Sequence, residues 1–337
     1  MTVIIDAMGG DHAPLETVKG VALASLEYDA DLVLVGKTEE IGEILKSTEA
    51  DMSRISIVDA QSVITMEDDP MSVVRSKKDS SMATGLRMLA ENGDAFVSAG
   101  NTGALHVGAS LIVRSAKCVE RAAIATILPF EKPMILMDSG ANVTVKPEYF
   151  TEWALMGSIY MKNVMGVEKP TVGLLNNGTE DHKGTPVEIE AYKLLSEDKR
   201  IDFIGNVEAK DLMSSPCDVI ITDGFTGNVV LKTIEGLSKF FLKQLKGVFL
   251  SGSLTKLSYL FVKNKLKGMK KSFDSSEYGG APLLGLKKPV IKAHGSTDAL
   301  GIKNAIRQAI AFSETGVAEK IITALTDAEE TGIKNVK

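Results

Sequence analysis

Three of the four histidines lie in short turns rich in glycine and acid. His12 ends Asp6-Ala7-Met8-Gly9-Gly10-Asp11-His12, His182 and Lys183 follow Asn176-Asn177-Gly178-Thr179-Glu180-Asp181, and His294 opens His294-Gly295-Ser296-Thr297-Asp298. Imidazole beside carboxylate and glycine suits proton transfer or anion binding. Three further turns carry hydroxyls, amides and acids: Ser98-Ala99-Gly100-Asn101-Thr102-Gly103-Ala104, Asp138-Ser139-Gly140-Ala141-Asn142 and Asp223-Gly224-Phe225-Thr226-Gly227-Asn228. Turn chemistry alone explains many such residues when each turn is taken singly. Six together argue for one site.

The turn at 98–104 has the clearest chemistry. The apolar run Ala95-Phe96-Val97 leads into it and an apolar-periodic segment from Leu105 to Val113 follows, which reads as strand, glycine-rich turn, helix. Free backbone N–H groups and the positive dipole end of a helix favour a phosphate-like anion there. Ser98, Gly100, Asn101, Thr102 and Gly103 are the candidate phosphate-binding residues.

The other turns also follow apolar runs: Val3 to Ile5, Met134 to Met137, Thr171 to Leu175, Asp218 to Ile221 and Val290-Ile291. Further strands are expected at Leu32 to Val35, Ile55 to Val58, Ala122 to Leu128 and Phe203-Ile204. Helices are expected at Pro14 to Leu26, Pro70 to Asn92, Pro147 to Val164, Glu188 to Leu195 and Ala299 to Phe312. This alternation predicts an α/β fold, a mostly parallel sheet with helices on both faces. With right-handed crossovers the six turns gather at the carboxyl edge of that sheet, where open α/β sheets bind ligands. Arg75 and Lys77 are lesser candidates for anion binding.

At 337 residues, 44% hydrophobic and 24% charged, the chain suits one large globular α/β domain over 1–337. Its net charge of -6 argues against a general nucleic-acid binder. Cys118 and Cys217 lack metal-ligand spacing, and the N-terminus lacks the pattern of a signal peptide, so a cytoplasmic setting is expected. There is no G-x-G-x-x-G, no phosphate-loop lysine after Gly108, and no zinc signature. Phe96 stands where a nucleophile elbow needs glycine. The chain thus offers no motif for a cofactor, a metal or a serine acyl-enzyme.

The stretch 229–271 is different. Val230, Ile234, Leu237, Phe241, Leu245 and Phe249 recur at helical spacing, and Leu254, Leu257, Phe261 and Val262 follow a Ser251-Gly252-Ser253 break. Ten lysines stand between Lys232 and Lys271 against one acid, Glu235. The pattern predicts a helical hairpin with an oily and a basic face. Leu254, Lys256, Leu257, Phe261, Val262, Lys263 and Lys267 are its candidate contacts with an anionic membrane or an acidic protein partner.

Taken together, Asp6-Ala7-Met8-Gly9-Gly10-Asp11-His12-Ala13-Pro14, the 98–104 turn, the 138–142 turn and Asp223 to Asn228 resemble the bacterial PlsX-type phosphate acyltransferases along the whole chain. The resemblance implies a three-layer α/β/α fold similar to phosphate acetyltransferases and isocitrate dehydrogenases, and a homodimer. It implies transfer of a fatty acyl group from acyl carrier protein to inorganic phosphate, giving acyl phosphate for phospholipid synthesis and a downstream membrane acyltransferase. Phosphate attacks the thioester directly, so no protein nucleophile is needed. Lys183 and Asn228 are then the candidates for charge and an amide at the oxyanion, and His182 or His294 for the proton. Asp6, Gly9, Gly10, Asp11, His12, Asp138, Asn142, Asn176, Asn177, Asp223, Ser296 and Asp298 are expected to line the site. Two other readings stand beside this one: a phosphate acetyltransferase-like enzyme using acyl-coenzyme A, and a non-catalytic lipid-surface scaffold.

Overall fold

The computed structural model describes residues 1–252, 259, 262 and 278–330. Eleven strands among these form one sheet: β1 (Thr2–Asp6), β2 (Asp31–Gly36), β3 (Ile55–Asp59), β4 (Ala95–Ser98), β5 (Ala123–Pro129), β6 (Pro133–Met137), β7 (Thr171–Asn176), β8 (Asp202–Glu208), β9 (Val219–Ile221), β10 (Ala281–Leu284) and β11 (Val290–Lys292). Val3, Ile4, Ile5 and Leu32 to Val35 are buried without alternation, as strands covered on both faces must be.

The covering helices are α1 (Leu15–Glu27), α2 (Thr38–Lys46), α3 (Ser81–Glu91), α4 (Thr102–Gly108), α5 (Pro147–Asn163), α6 (Pro186–Glu197), α7 (Gly224–Leu250), α8 (Ala299–Glu314) and α9 (Val317–Glu330). Trp153 and Tyr160 of α5 are fully buried, and the Tyr160 ring meets Phe312 of α8 edge-on at 5.7 Å.

Strand order is β3-β2-β1-β4-β11-β10-β5-β6-β9-β7-β8. The five strands from β3 to β11 run parallel to one another, and so do the four from β6 to β8. Three antiparallel pairings join these halves, β11 with β10, β10 with β5 and β5 with β6, so the halves run in opposite senses. This corrects the expectation that all six turns share one sheet edge.

Register restores their convergence in another way. Ala281 pairs with Lys292 at the end of β11, Leu283 with Ile124, and Ala125 with Met137 at the end of β6. The two halves therefore overlap only near their carboxyl ends, which meet across the short shared strands β10 and β5. Turns after β4, β11 and β6 issue into that meeting point. The turn after β7 leaves the sheet two strands farther out than β6.

Two helical expectations change. The segment from Pro70 to Asn92 is a short 3-10 turn over Pro70–Val73 and then α3, separated by a polar link. Asp69 accepts from Met71 N–H and Ser80 from Ala83 N–H, so each piece has its own cap and one continuous helix is not needed. Within the link, Lys77 is committed to Asp68 at 2.6 Å and to the Val63 carbonyl. The helix after Thr102 widens into a π turn over Ala109–Arg114 and stops at Arg114, whose φ is 72°.

The first arm of the hairpin expected over 229–271 falls on α7. Val230, Leu231 and Ile234 pack on a core cluster that includes Leu128, Met134 and Leu136, whereas no described residue of α7 from Gly236 onward is buried. Tyr259 and Val262 are helical, and the Tyr259 ring lies 5.9 Å from Phe249 on α7. Leu254, Lys256, Leu257, Phe261, Lys263 and Lys267 lie outside the described residues.

The start of α7 depends on two glycines. A Cβ on Gly224 would come within 2.8 Å of the Asn142 backbone, and one on Gly227 would overlap the Asp138 carbonyl oxygen. Gly227→Ala is expected to lower unfolding stability by about 3 kcal/mol or more, because backbone rather than a mobile side chain blocks the methyl. Denaturant unfolding of the pure variant checks this.

Candidate active site

Where the two halves meet, a cavity of about 450 Å³ opens. That is a size able to hold a small ligand. Its polar lining includes Asp11, Thr102, Asn228, Lys232, Lys292 and His294, and its apolar lining includes Ile124, Ile127 and Leu231. Asp11, Thr102, Asn228 and His294 are sequence candidates that the fold brings together.

The three turns of the first half interlock through backbone. A Cβ on Gly9 would sit 2.7 Å from Gly100 N, so only glycine lets the β1 and β4 turns touch. Asp11 N–H donates to the Gly295 carbonyl at 2.8 Å, tying the β1 turn to the β11 turn. Gly10, at φ +112°, makes the bend between these contacts. His12 is exposed beyond them.

Several candidates brace this arrangement. Asp6 is buried and accepts from Ser81 Oγ at 2.6 Å, Ser98 Oγ at 2.7 Å and Met8 N–H. Burial pushes its carboxyl above the usual range, while the two serine hydroxyls and the nearby Lys292 charge pull it back. Ser98 Oγ in turn accepts from Gly100 N–H at 3.0 Å. The Asn101 amide donates to the carbonyls of Thr65, Met66 and Asp68, and its oxygen caps α4 through Ala104 N–H. Its side chain holds the turn, and the turn reaches the cavity through exposed Thr102.

Across the cavity, Asp138 accepts from the N–H groups of Ile124, Gly140, Ala141 and Asn142 and from the Asn142 side chain. Burial pushes this carboxyl up as well, and those donors oppose the shift. Asp223 caps α7 through Phe225 and Thr226 N–H, and Asp298 caps α8 through Gly301 N–H. These acids shape the walls, and Asn228, one turn into α7, faces Gly140 with its Oδ1 3.8 Å from where a Cβ would be.

Asn176, Asn177, His182 and Lys183 are not among the lining residues. Asn176 donates to the Lys183 carbonyl and to Asn206, and the exposed His182 ring lies 3.4 Å from Asp181. Lys183 is half-buried, its stem packed so closely on Gly178 that a Cβ there would be 2.9 Å from Lys183 Cγ. Their position follows from topology, since β7 lies beyond β9.

Sequence reading missed Lys292, Lys232 and Glu235. Lys232 Nζ pairs with Glu235 at 2.9 Å, and His294 Nε2 lies 3.8 Å from the other Glu235 oxygen, an ion-pair distance rather than a hydrogen bond. Partial burial pushes Glu235 up, but its interactions with His294 and Lys232 outweigh that and hold the carboxyl well below its usual range. Ser296 N–H donates to His294 Nδ1 at 3.2 Å. A backbone N–H can only donate, so a neutral His294 carries its proton on Nε2, toward Glu235 and the cavity. Among the described residues, no group of three or more His, Cys, Asp or Glu is placed to hold a metal ion.

This α/β architecture recurs in solved structures of other proteins. It matches a phosphotransacetylase from Streptococcus pyogenes with a TM-score of 0.60 at 16% identity, covering 93% of this chain and 94% of that one. A Staphylococcus aureus EutD phosphotransacetylase matches with a TM-score of 0.56 at 14% identity, over 94% of each chain. At these identities the likeness concerns the fold alone. Residues 1–320 match the family described as fatty acid synthesis protein. The phosphate acyltransferases of Alkaliphilus oremlandii and Streptococcus suis are 44% and 46% identical, over 98% and 97% of this chain and 99% and 98% of theirs. The chain belongs to this phosphate acyltransferase family and is an acyltransferase.

Asn101 and Thr102 separate brace from contact. Asn101→Ala is expected to cost about 1–2 kcal/mol of stability through the missing helix cap, and it also takes the amide donor away from the carbonyls of Thr65, Met66 and Asp68. Thr102→Val, exposed and uncommitted to any cap, is expected to stay within about 0.5 kcal/mol of the parent. Paired denaturant melts give both values.

Proposed function

We propose that the protein transfers a fatty acyl group from an acyl carrier protein thioester to inorganic phosphate by direct attack. The observation that carries this reading is the mixed chemistry of the cavity lining. Thr102, Asn228, Lys232, Lys292 and His294 offer donors and positive charge, and Ile124, Ile127 and Leu231 offer apolar surface. An anion and an acyl chain are the pair of reactants such a lining accepts. Membership of the phosphate acyltransferase family supports the same pair.

In the proposed reaction a phosphate oxygen attacks the thioester carbonyl carbon. The new C–O bond forms, the C–S bond breaks, and the proton of hydrogen phosphate passes to the departing thiolate, giving acyl phosphate and carrier thiol. A thiol with a pKa of about 8.5 leaves with little acid assistance. The enzyme's main tasks are to position two anionic reactants and to stabilise the oxyanion. The Gly100–Gly103 turn, with Thr102 at its exposed end, is the proposed phosphate cradle. The Asn228 amide is the proposed oxyanion donor, and His294, with its Nε2 proton facing the cavity, the proposed hydrogen-bond donor to the departing sulfur, which takes its proton from the phosphate.

Lys183 enters this reading as a rim charge. Its loop leaves β7 beside β9, whose end carries the Asp223 cap of α7, and its stem is held on Gly178. The acidic carrier approaches a cleft so bordered by lysines. Beyond Gly236, exposed Leu237, Phe240, Phe241 and Val248 stand beside Lys239, Lys243 and Lys246. This composition supports contact of α7 with the carrier and with an anionic membrane that receives the product, and its bare length supports pairing in a homodimer.

Acyl-phosphate formation is measured with acyl carrier protein thioester and with acyl-coenzyme A at matched concentrations. The carrier thioester is expected to be the better substrate by kcat/KM. Preference for acyl-coenzyme A would favour a phosphate acetyltransferase-like enzyme, and absence of product with either would remove the reading. Asn228→Ala is expected to lower kcat about 100-fold. Lys183→Ala is expected to lower kcat/KM for the carrier substrate about tenfold or more, with a melting curve like the parent's.

A further inference from the structure

Lys292 is the last residue of β11, 8% exposed, and lines the cavity. Its Nζ donates to the carbonyl of Ala99, the residue just before the proposed phosphate cradle, at 3.1 Å, and to the carbonyl of Ala293. An ammonium has three donors. These two contacts leave a third N–H on a residue that lines the cavity. The strand end thus carries a buried cation joined by hydrogen bond to the backbone of the very turn expected to hold the nucleophile.

We propose that Lys292 binds the attacking phosphate, its third N–H and its charge serving as the fixed counter-ion of the dianion held by the 98–103 turn. This assignment rests on the phosphate reading above and adds to it the residue that makes the cradle electrostatically favourable. A helix N-terminus and neutral donors supply partial charge; a full positive charge in a partly dehydrated site holds a dianion more strongly. Two carbonyl contacts fix the ammonium in place before phosphate arrives, so little reorganisation accompanies binding.

The surrounding charges agree with such a role. Asp6 on β1 and Asp11 on the following turn favour the ammonium, while burial and Lys232 on α7 oppose it, and the balance brings its pKa down to about 8. Glu235, beside Lys232 on the same helix, offsets part of that helix's positive charge. Lysine is the charged form below its pKa, so the phosphate site is complete at neutral pH and loses its counter-ion as pH rises through about 8. A lysine that only held the two carbonyls would serve the same purpose if replaced by a neutral amide. That difference allows a test.

Steady-state kinetics on the wild-type enzyme and Lys292→Gln give KM for phosphate and for the carrier thioester separately across pH. In the wild type, kcat/KM for phosphate is expected to fall above about pH 8, approaching tenfold per pH unit. Glutamine keeps a donor for the carbonyls and removes the charge. Lys292→Gln is expected to raise KM for phosphate about 100-fold, change KM for the thioester little, and abolish the alkaline fall. A folded Lys292→Gln enzyme with wild-type phosphate KM, or one that keeps the alkaline fall, overturns the proposal. If the variant fails to fold, the wild-type profile decides, since a flat phosphate kcat/KM from pH 7 to 10 overturns it equally. A wild-type enzyme that forms no acyl phosphate would instead overturn the reaction on which the assignment rests.

Discussion

One buried carboxylate seats the second half of the site. Asp138 ends the β6 run and takes hydrogen bonds from β5, from its own turn and from Asn142. A buried acid so surrounded is costly to move, because every donor would lose its partner in a place water reaches poorly. Against that rigid knot lie Gly224 and Gly227, closer than any side chain allows. The helix that follows can therefore start in one place only. Asn228, Leu231, Lys232 and Glu235 reach the cavity because α7 begins there.

The first half obeys the same constraint with different residues. Gly9 on Gly100, Asp6 under Ser98, and Asp11 against Gly295 lock three strand ends into one surface. Neither half alone makes a pocket. The opposed sense of the two half-sheets, staggered across β10 and β5, turns their carboxyl ends toward each other. One half brings the turn at Thr102 and the buried cation of β11. The other brings an amide, apolar surface and the Lys232–Glu235 pair. The proposed acyl transfer needs both kinds of contribution, donors and charge for an anion and apolar surface for an acyl chain.

Much of this was legible in the residues, and the gaps have physical causes. Unbroken apolar runs such as Val3-Ile4-Ile5 marked buried parallel strands, and all six glycine-rich turns fall at strand ends. β10 escaped notice because Gly279-Gly280-Ala281-Pro282 reads as a turn; its strand geometry comes from pairing with β11 and β5. The sense of the second half was invisible too, since apolar patterning carries no direction. Among site residues, turn chemistry located Asp6, Asn101, Asp138 and Asp223 but could not tell a brace from a ligand contact, because both uses favour the same residue types. Lys292, Lys232 and Glu235 gave less signal still. Lys292 ends an apolar strand, and the other two look like any charged pair three apart on a helix surface.

In the proposed reaction phosphate itself attacks the thioester, and the protein supplies donors, charge and apolar surface but no nucleophile. The direct measurement mixes enzyme with acyl carrier protein thioester in phosphate-free buffer and follows free thiol and intact enzyme mass before and after phosphate is added. Direct attack predicts no thiol release and an unchanged mass until phosphate arrives, then thiol and acyl phosphate in equal amounts. A burst of thiol stoichiometric with enzyme before phosphate, together with an acyl group added to the enzyme's mass, would contradict it.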